Sequence, residues 1–357
     1  MTLAIERMLI PESLDGPGGA DFAEMVRVRN EIEAESSGMA EMSPTPRDLL
    51  PHWQDPYSPQ ALFVARVDGH IVGRAVASLP IEEESREVLL SVEVLPAFRG
   101  RGIGTALLEV GEKHGRAAGR TTFGGESMAR PTGGQQIDSP TGFGSVPADD
   151  PGVRFAVRHG YSLGQVVRGS RLALPFDAEA ALGAATTASG PGYRSTAWTG
   201  AIPDDRLDDL AVLHARMSTD APSADLDIAP ESWDADRVRA LDALRAKTDR
   251  AMLTAVVEHV ASGSLVAFSE LSVPSDSALA VQQEDTLVLT EHRGHRLGML
   301  AKLANLALLG REHPGRSWVV TFNAEENRPM LDVNEAIGFE PFVYEAVWEK
   351  RGQERSE

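Results

Sequence analysis

The chain of 357 residues contains no cysteine. Disulfides, thiolate metal sites and a cysteine nucleophile are therefore excluded, and a reducing cytoplasm is the expected location. Positive charge is scarce: 34 Lys and Arg stand against 53 Asp and Glu, a formal net charge of −19. A nucleic-acid binder would need a basic face, so nucleic acid is not an expected partner. No apolar run reaches membrane-spanning length, so no membrane association is expected. Residues 1–7 lack the basic stretch ahead of an apolar core that marks a signal peptide. There is no His-Glu-x-x-His, the nine histidines are scattered, and His292 with His295 lacks a third ligand nearby. No metal is expected. A Gly-x-Ser-x-Gly elbow is also missing, which leaves a Ser-His-Asp hydrolase unsupported.

What the chain does have is a basic, glycine-rich turn that occurs twice. Arg99-Gly100-Arg101-Gly102-Ile103-Gly104-Thr105 follows the apolar alternating run 89–95. Arg293-Gly294-His295-Arg296-Leu297-Gly298-Met299 follows a similar run at 286–289. Apolar residues at helical spacing succeed each turn: Ile103, Ala106, Leu107 and Val110 in one, Leu297, Leu300, Ala301 and Ala304 in the other. A strand, a Gly-rich turn and a helix N-terminus form an anion cradle. Unpaired N–H groups and the positive end of the helix dipole converge there. Neither copy has the Lys-Ser/Thr pair of a Walker cradle. A dinucleotide fingerprint fails at Thr105 in the first copy and at Arg296 in the second. The pattern Arg/Gln-x-x-Gly-x-Gly/Ala fits the first copy at Arg99, Gly102 and Gly104; in the second, Arg293 and Gly298 match while Arg296 replaces the middle glycine.

That pattern resembles the GNAT superfamily of acyl-coenzyme A-dependent N-acyltransferases, and the resemblance extends over most of the chain. Downstream of each cradle a Gly-aromatic turn closes a helix, at Gly160-Tyr161 and at Gly338-Phe339, similar to the family's final motif. The resemblance implies an α/β fold with a mixed sheet, two tandem GNAT-like domains in a mycothiol synthase-like arrangement, and acetyl-coenzyme A as cosubstrate. The implied cofactor-binding residues are Val94 and 99–105 in the first half, and Val288, 293–299, Asn323 and Asn327 in the second. Val94 and Val288 hold the place where family members point a backbone N–H at the thioester. The asparagines flank the splay where pantetheine amides bind; an N-cap and a turn are the plainer reading of both.

Length suits two domains. The expected division is 1–175, a linker over 176–192 rich in Ala, Gly, Thr and Ser, and 193–357. Strands are expected at 3–10, 61–67, 71–79, 87–95, 121–126, 252–259, 264–271, 278–289, 317–322 and 339–349. Helices are expected at 21–35, from 45–46 onward, and at 103–116, 206–217, 230–247, 297–310 and 329–337. Residues 128–152 break periodicity and read as a lid or a tolerated insertion. Residues 217–227 lie where a substrate loop belongs.

The expected reaction is N-acetyltransfer to a small primary amine in a direct ternary complex. The alternative is a non-catalytic acetyl-coenzyme A-binding or sensing protein, because the helix tyrosine of the family is replaced by Ala156 and Asn334. Tyr161 and Tyr344 are the nearby substitutes for that acid, and Tyr344, on the closing strand, is the one assigned to the site; a core or rim aromatic is its plainer reading. Among Glu93, Glu284 and Asp285, strand alternation from Val288 selects Glu284 as base. An acidic surface confers solubility or attracts a cationic acceptor, and both readings stand. The amine and the oligomeric state are not legible.

Overall fold

The computed structural model describes residues 2–82, 85–220, 224, 226 and 229–352. In chain order the elements begin with β1 (Leu3–Met8), α1 (Gly19–Ser37), α2 (Pro46–Trp53), β2 (Gln60–Val67), β3 (His70–Ser78) and β4 (Glu87–Val94). They continue with α3 (Ile103–Ala117), β5 (Thr122–Ala129), β6 (Gln136–Asp138), β7 (Ser145–Pro147), α4 (Pro151–Arg158) and β8 (Ser162–Ala173). Then come α5 (Ala178–Ser189), β9 (Tyr193–Thr199), α6 (Leu207–Asp220), α7 (Ala235–Arg245), β10 (Arg250–His259) and β11 (Leu265–Pro274). The chain closes with β12 (Val281–Val288), α8 (Leu297–Glu312), β13 (Trp318–Ala324), α9 (Arg328–Ile337) and β14 (Glu340–Arg351).

Two compact units result. The first draws on Met1–Val167, Ser223–Ala229 and Phe342–Glu357, the second on Arg168–Pro222 and Pro230–Pro341. Within the first, the strand order is β1-β2-β3-β4-β5-β14; within the second it is β9-β10-β11-β12-β13 with the end of β8 beside β13. The units are therefore cut differently from the linear halves 1–175 and 193–357. Residues 344–351 pair antiparallel with β5, from Tyr344↔Ala129 to Arg351↔Thr122. Residues 168–173 supply the corresponding place in the second unit. Each sheet is completed by a strand from the other half of the sequence. Alternation tells which way a strand's side chains face and not which neighbour it joins.

Apolar residues cover both faces of each sheet. In β2, Ala61, Phe63, Ala65 and Val67 join a core with Ile103 and Leu107 of α3, while Leu62 and Val64 pack with Phe22, Met25 and Val26 of α1. In the second unit, Leu253 and Val257 meet α8, whereas Val256 and Phe268 meet Leu210 and Leu213 of α6. The β2–β3 hairpin turns through Asp68 at φ 49° and Gly69 at φ 91°, a pair of left-handed residues suited to a tight strand turn. Thr45 and Asp48 form a reciprocal capping box at the start of α2.

Three sequence expectations change. Residues 178–189, placed in the linker, form α5; its alanines favour helix, and Ala178 and Ala185 bury into the core of the second unit. The helix expected from 230 begins at Ala235, capped by Asp234, whose side chain accepts from the Arg237 N–H. The irregular 128–152 segment contains the short hairpin β6–β7. Part of 217–227 lies outside the described residues. No helix of the described residues is long and apolar enough to cross a membrane.

Helix α8 is buried nearly all round, and Lys302 is enclosed in it at 1% exposure. Its ammonium lies 5.8 Å from the Phe339 ring centroid. Burial lowers the Lys302 pKa to about 7. Between about 7 and the unfolded value near 10.4, the unfolded chain binds a proton that the folded chain does not, so this residue makes stability rise with pH across that window. Lys302→Met should remove that slope and stabilise the protein near pH 7 by on the order of a few kcal/mol. Denaturant unfolding at several pH values measures both effects.

Candidate functional site

The two cradles have the same backbone. After β4 a 3-10 turn at Pro96–Phe98 leads to Arg99 (φ −66°, ψ 158°) and to Gly102 (φ 81°, ψ −3°), the N-cap of α3. After β12 the turn Thr290–His292 leads to Arg293 (φ −65°, ψ 160°) and to Arg296 (φ 58°, ψ 24°), the N-cap of α8. Arg296 thus adopts the left-handed conformation of the glycine it replaces, and the loop is preserved. Neither helix receives a side-chain cap, so their first-turn N–H groups remain open to an anion. A Cβ at Gly100, Gly102 or Gly294 would meet nothing within 4 Å, as expected of backbone left clear for a ligand. Gly104 serves packing instead: a Cβ there would stand 3.2 Å from the Phe155 ring.

Both leading arginines brace the loop. Arg99 Nε donates to the Val94 carbonyl at 3.0 Å and its guanidinium pairs with Glu35 at the end of α1. Arg293 Nε donates to the Val288 carbonyl at 3.2 Å and reaches the Asp220 carbonyl at the end of α6. Arg101 donates to the Ala97 carbonyl, Thr105 Oγ1 lies 3.1 Å from His159 Nε2, and the His295 ring packs 5.1 Å from Tyr193. Ile103 and Leu297 are core residues at the helix starts, and Met299 is packed beside the second core.

Each unit has a splay beside its cradle. β4 and β5 pair in parallel from Glu87↔Thr122 to Leu90↔Gly125, and β12 with β13 only at Val281↔Val319 and Gln282↔Val320. Beyond those points the strands no longer pair with each other. Leu289 donates its N–H to the Val266 carbonyl, so the N–H of Val288 turns to the opposite side, into the splay. Val94 is placed alike, since Leu95 donates to Val72. Asn323 Oδ1 accepts from Asn334 Nδ2 at 2.7 Å. Asn327 is the N-cap of α9, accepting from the Met330 N–H.

The strands before the cradles differ. β3 and β4 keep an unbroken register from Gly73↔Val94 to Ser78↔Leu89. β11 and β12 pair at Ser269↔Thr286 and then at Leu271↔Gln283, so Glu270 stands against both Glu284 and Asp285. That two-for-one match is a β-bulge, which re-aims side chains. It also voids the alternation that favoured Glu284 over Asp285, because the count from Val288 passes through the inserted residue.

Charged side chains cluster around the bulge. Arg245 of α7 grips Glu270 with two 2.9 Å bonds, Glu270 being wholly buried. Although burial works against it, the Arg245 guanidinium keeps the Glu270 carboxyl below its ordinary pKa. Glu284 is exposed to solvent yet hemmed in by protein, and that enclosure raises its carboxyl. Asp285 keeps 46% of its side chain accessible, but enclosure first, then Glu270 and Glu284, raise its pKa to about 7. His214 of α6 faces it, Nδ1 to Oδ2, at 3.9 Å.

In the first unit the equivalent ground is filled by ion pairs. Arg74 binds Glu93 through two 2.7 Å bonds, and Arg29 pairs with Glu33 at 2.6 Å. Past the splay, Glu126 of β5 and Glu345 of β14 both have carboxyls raised by burial, Glu345 further by Glu126. Tyr344 belongs to this unit and packs against its core, whereas Glu284 belongs to the other. The expected acid and base therefore belong to different units. Tyr161 donates to Glu112 at 3.1 Å and is pushed well above the usual tyrosine range, chiefly by burial. Among the described residues no group of three or more His, Cys, Asp or Glu is placed to hold a metal ion.

Sequence reasoning missed His214, Arg245 and Glu270. His214 had a signal: it shares the buried face of α6 with Leu207, Leu210, Ala211 and Leu213. Arg296→Gly should relieve the left-handed strain of a residue with a Cβ, offset partly by the freer unfolded chain, a net gain of about 0.5–1 kcal/mol. Thermal unfolding that shows a lower stability contradicts the assignment of Arg296 as a strained N-cap.

Comparison with known proteins agrees with this architecture. Residues 26–123 match the Acetyltransferase (GNAT) family. A tandem GNAT protein from the clavulanic acid biosynthesis pathway superposes with a TM-score of 0.73 at 25% identity, covering 99% of this chain and 100% of that one. A GCN5-related N-acetyltransferase from Sphaerobacter thermophilus gives 0.60 at 14% identity, covering 99% and 97%. The glucosamine N-acetyltransferase region of a fungal multi-domain β-N-acetylglucosaminidase gives 0.59 at 16%, covering 98% of this chain and 38% of that one. No curated protein sequence matches the chain. Residues 26–123 thus carry a GNAT family match, and the chain as a whole shares the fold of a tandem GNAT protein, with a cradle and a splay in each unit.

Proposed function

We propose that the protein transfers the acetyl group of acetyl-coenzyme A directly to a small primary amine, and that the second unit carries the reaction. The observation that carries this reading is the β12 bulge, which sets a carboxyl with a pKa of about 7 beside the splay. The uncapped first turns and clear glycines fit a pyrophosphate, and acetyl-coenzyme A supplies the thioester. In the second unit the N–H groups of 297–299 would hold the pyrophosphate, and Asn323 would meet the pantetheine arm. The Val288 N–H is positioned to stabilise developing charge on the acyl oxygen, a contribution of roughly 3 kcal/mol in such sites. An alkyl ammonium must lose a proton before it attacks; Asp285, ionised above about 7, is the acceptor. Glu284, beside it on the bulge, supplies negative charge that attracts the ammonium form.

A coenzyme A-binding sensor is the second reading, favoured by the absence of an acid at Ala156 and Asn334. Release of free coenzyme A over a panel of amines separates the two, since a sensor binds acetyl-coenzyme A without turnover.

Asp285→Asn should lower kcat by about 10²–10⁴-fold while acetyl-coenzyme A affinity stays level. In the parent enzyme kcat/KM should fall as pH drops through about 7, and the substitution should abolish that limb. Full turnover in Asp285→Asn with loss of turnover in Glu126→Gln would move the chemistry to the first unit. In that first unit, Gly102→Val should weaken acetyl-coenzyme A binding by at least about tenfold, because a β-branched residue is strained at φ 81° and would distort the turn that presents the α3 N–H groups. Calorimetry reads affinity and stoichiometry.

A further inference from the structure

His214 is buried at 4% exposure, yet among the described residues nothing satisfies both of its ring nitrogens. Its ring stacks on Trp233 at 4.7 Å and 21°, with the Phe268 ring edge-on at 4.9 Å. Nε2 is buried without a hydrogen-bond partner, while Nδ1 looks toward Asp285 Oδ2 at 3.9 Å. Burial lowers the His214 pKa, so the ring is neutral at pH 7 and carries one proton. A proton on Nε2 would have no acceptor and would turn the Nδ1 lone pair against a carboxylate. A proton on Nδ1 meets the carboxylate instead, and the partners thus select that tautomer.

A packing role alone does not account for this residue. Glu35 and Asp220 receive the two cradle arginines at the ends of α1 and α6, and six positions back from each stand Arg29 and His214. Arg74 and Phe268 correspond likewise, each following the residue paired with Val94 or Val288. The first unit fills these places with guanidiniums fixed to Glu33 and Glu93. The second has a neutral imidazole, stacked on Trp233, met edge-on by Phe268 and pointed at Asp285.

We propose that His214 is the positioning residue for Asp285: it donates from Nδ1 to the carboxylate that accepts the amine proton, closing from 3.9 Å to hydrogen-bond distance as Asp285 ionises. The role rests on the second-unit reading above. The other charged groups facing this pair are Glu270 on β11, Arg245 and Arg237 on α7, Glu284 on β12, and Glu231. Arg245 is already held by Glu270, and Arg237 donates to Glu231 at 3.0 Å while lying over the Trp233 ring. Neither displaces the imidazole as donor to Asp285. No bond is made or broken at His214; it keeps its proton throughout and lowers the energy of the ionised carboxyl.

The test uses the full-length protein with carboxyl-13C aspartate. Titration of Asp285, assigned by its loss in Asp285→Asn, is followed by NMR in the parent, His214→Leu and His214→Asn. Asparagine places an N–H donor near the Nδ1 position and leucine does not. His214→Leu should raise the Asp285 titration by about one to two pH units, and His214→Asn should bring it back. The acid limb of kcat/KM should move with it, with plateau kcat changing little. An unmoved titration in His214→Leu, or a shift that His214→Asn fails to reverse, overturns the proposal. Full turnover in Asp285→Asn overturns the second-unit reading instead, while the NMR titration still judges whether His214 donates to Asp285.

Discussion

One extra residue in β12 sets the arrangement of charge in the second unit. Between Ser269↔Thr286 and Leu271↔Gln283, two acidic residues stand where a regular ladder has room for one. Parallel pairing with β13 ends at Gln282↔Val320, just before the bulge, so both acidic residues lie on the stretch of β12 that has parted from β13. The bulge also concentrates three carboxylates, Glu270, Glu284 and Asp285, near the Arg245 guanidinium. Arg245 satisfies the deepest of them, Glu270. The remaining two are left in enclosed, solvent-reachable surroundings where ionisation is costly, and both pKa values rise. Enclosure first, and then the neighbouring carboxylates, thus hold Asp285 at about 7.

The duplicated units have diverged along this line. Their cradles share backbone angles within a few degrees at Arg99 and Arg293, and both arginines tie the loop to the last carbonyl of the preceding strand. The flanking ground has not been kept. Arg29, Glu33, Arg74 and Glu93 neutralise one another in the first unit, whose β4 is regular. The paired charges hold a fixed geometry at the places that His214 and Phe268 occupy in the second unit. The second unit has traded those pairs for Phe268, His214 and an unshielded Asp285. Its own cradle loses a glycine at Arg296 without losing the turn.

Much of this was legible in the sequence. The cradles, their strands and helices, and the Gly-aromatic turns at Gly160 and Gly338 are local signals, set by residues close together in the chain. What escaped was non-local. The pairing of 344–351 with β5 depends on which strand edge is open, and alternation is silent on that, so Tyr344 was joined to the wrong half. The bulge depends on a register between two strands, and Glu284 was preferred on a count that the bulge breaks. Residues 178–189 have the small-residue composition of a linker, and tertiary burial of Ala178 and Ala185 made them a helix. His214 was visible as a polar residue on an apolar helix face, but its partner lay beyond the reach of any spacing rule.

The most direct measurement is a crystal structure with acetyl-coenzyme A and a non-reactive amine analogue. The account predicts a cofactor in the second unit, with its pyrophosphate on the N–H groups of 297–299 and its thioester carbonyl on the Val288 N–H. The amine nitrogen should lie within hydrogen-bond reach of Asp285, directly or through one water. A cofactor found in the first unit alone, with the amine beside Glu126 and Glu345, would contradict it.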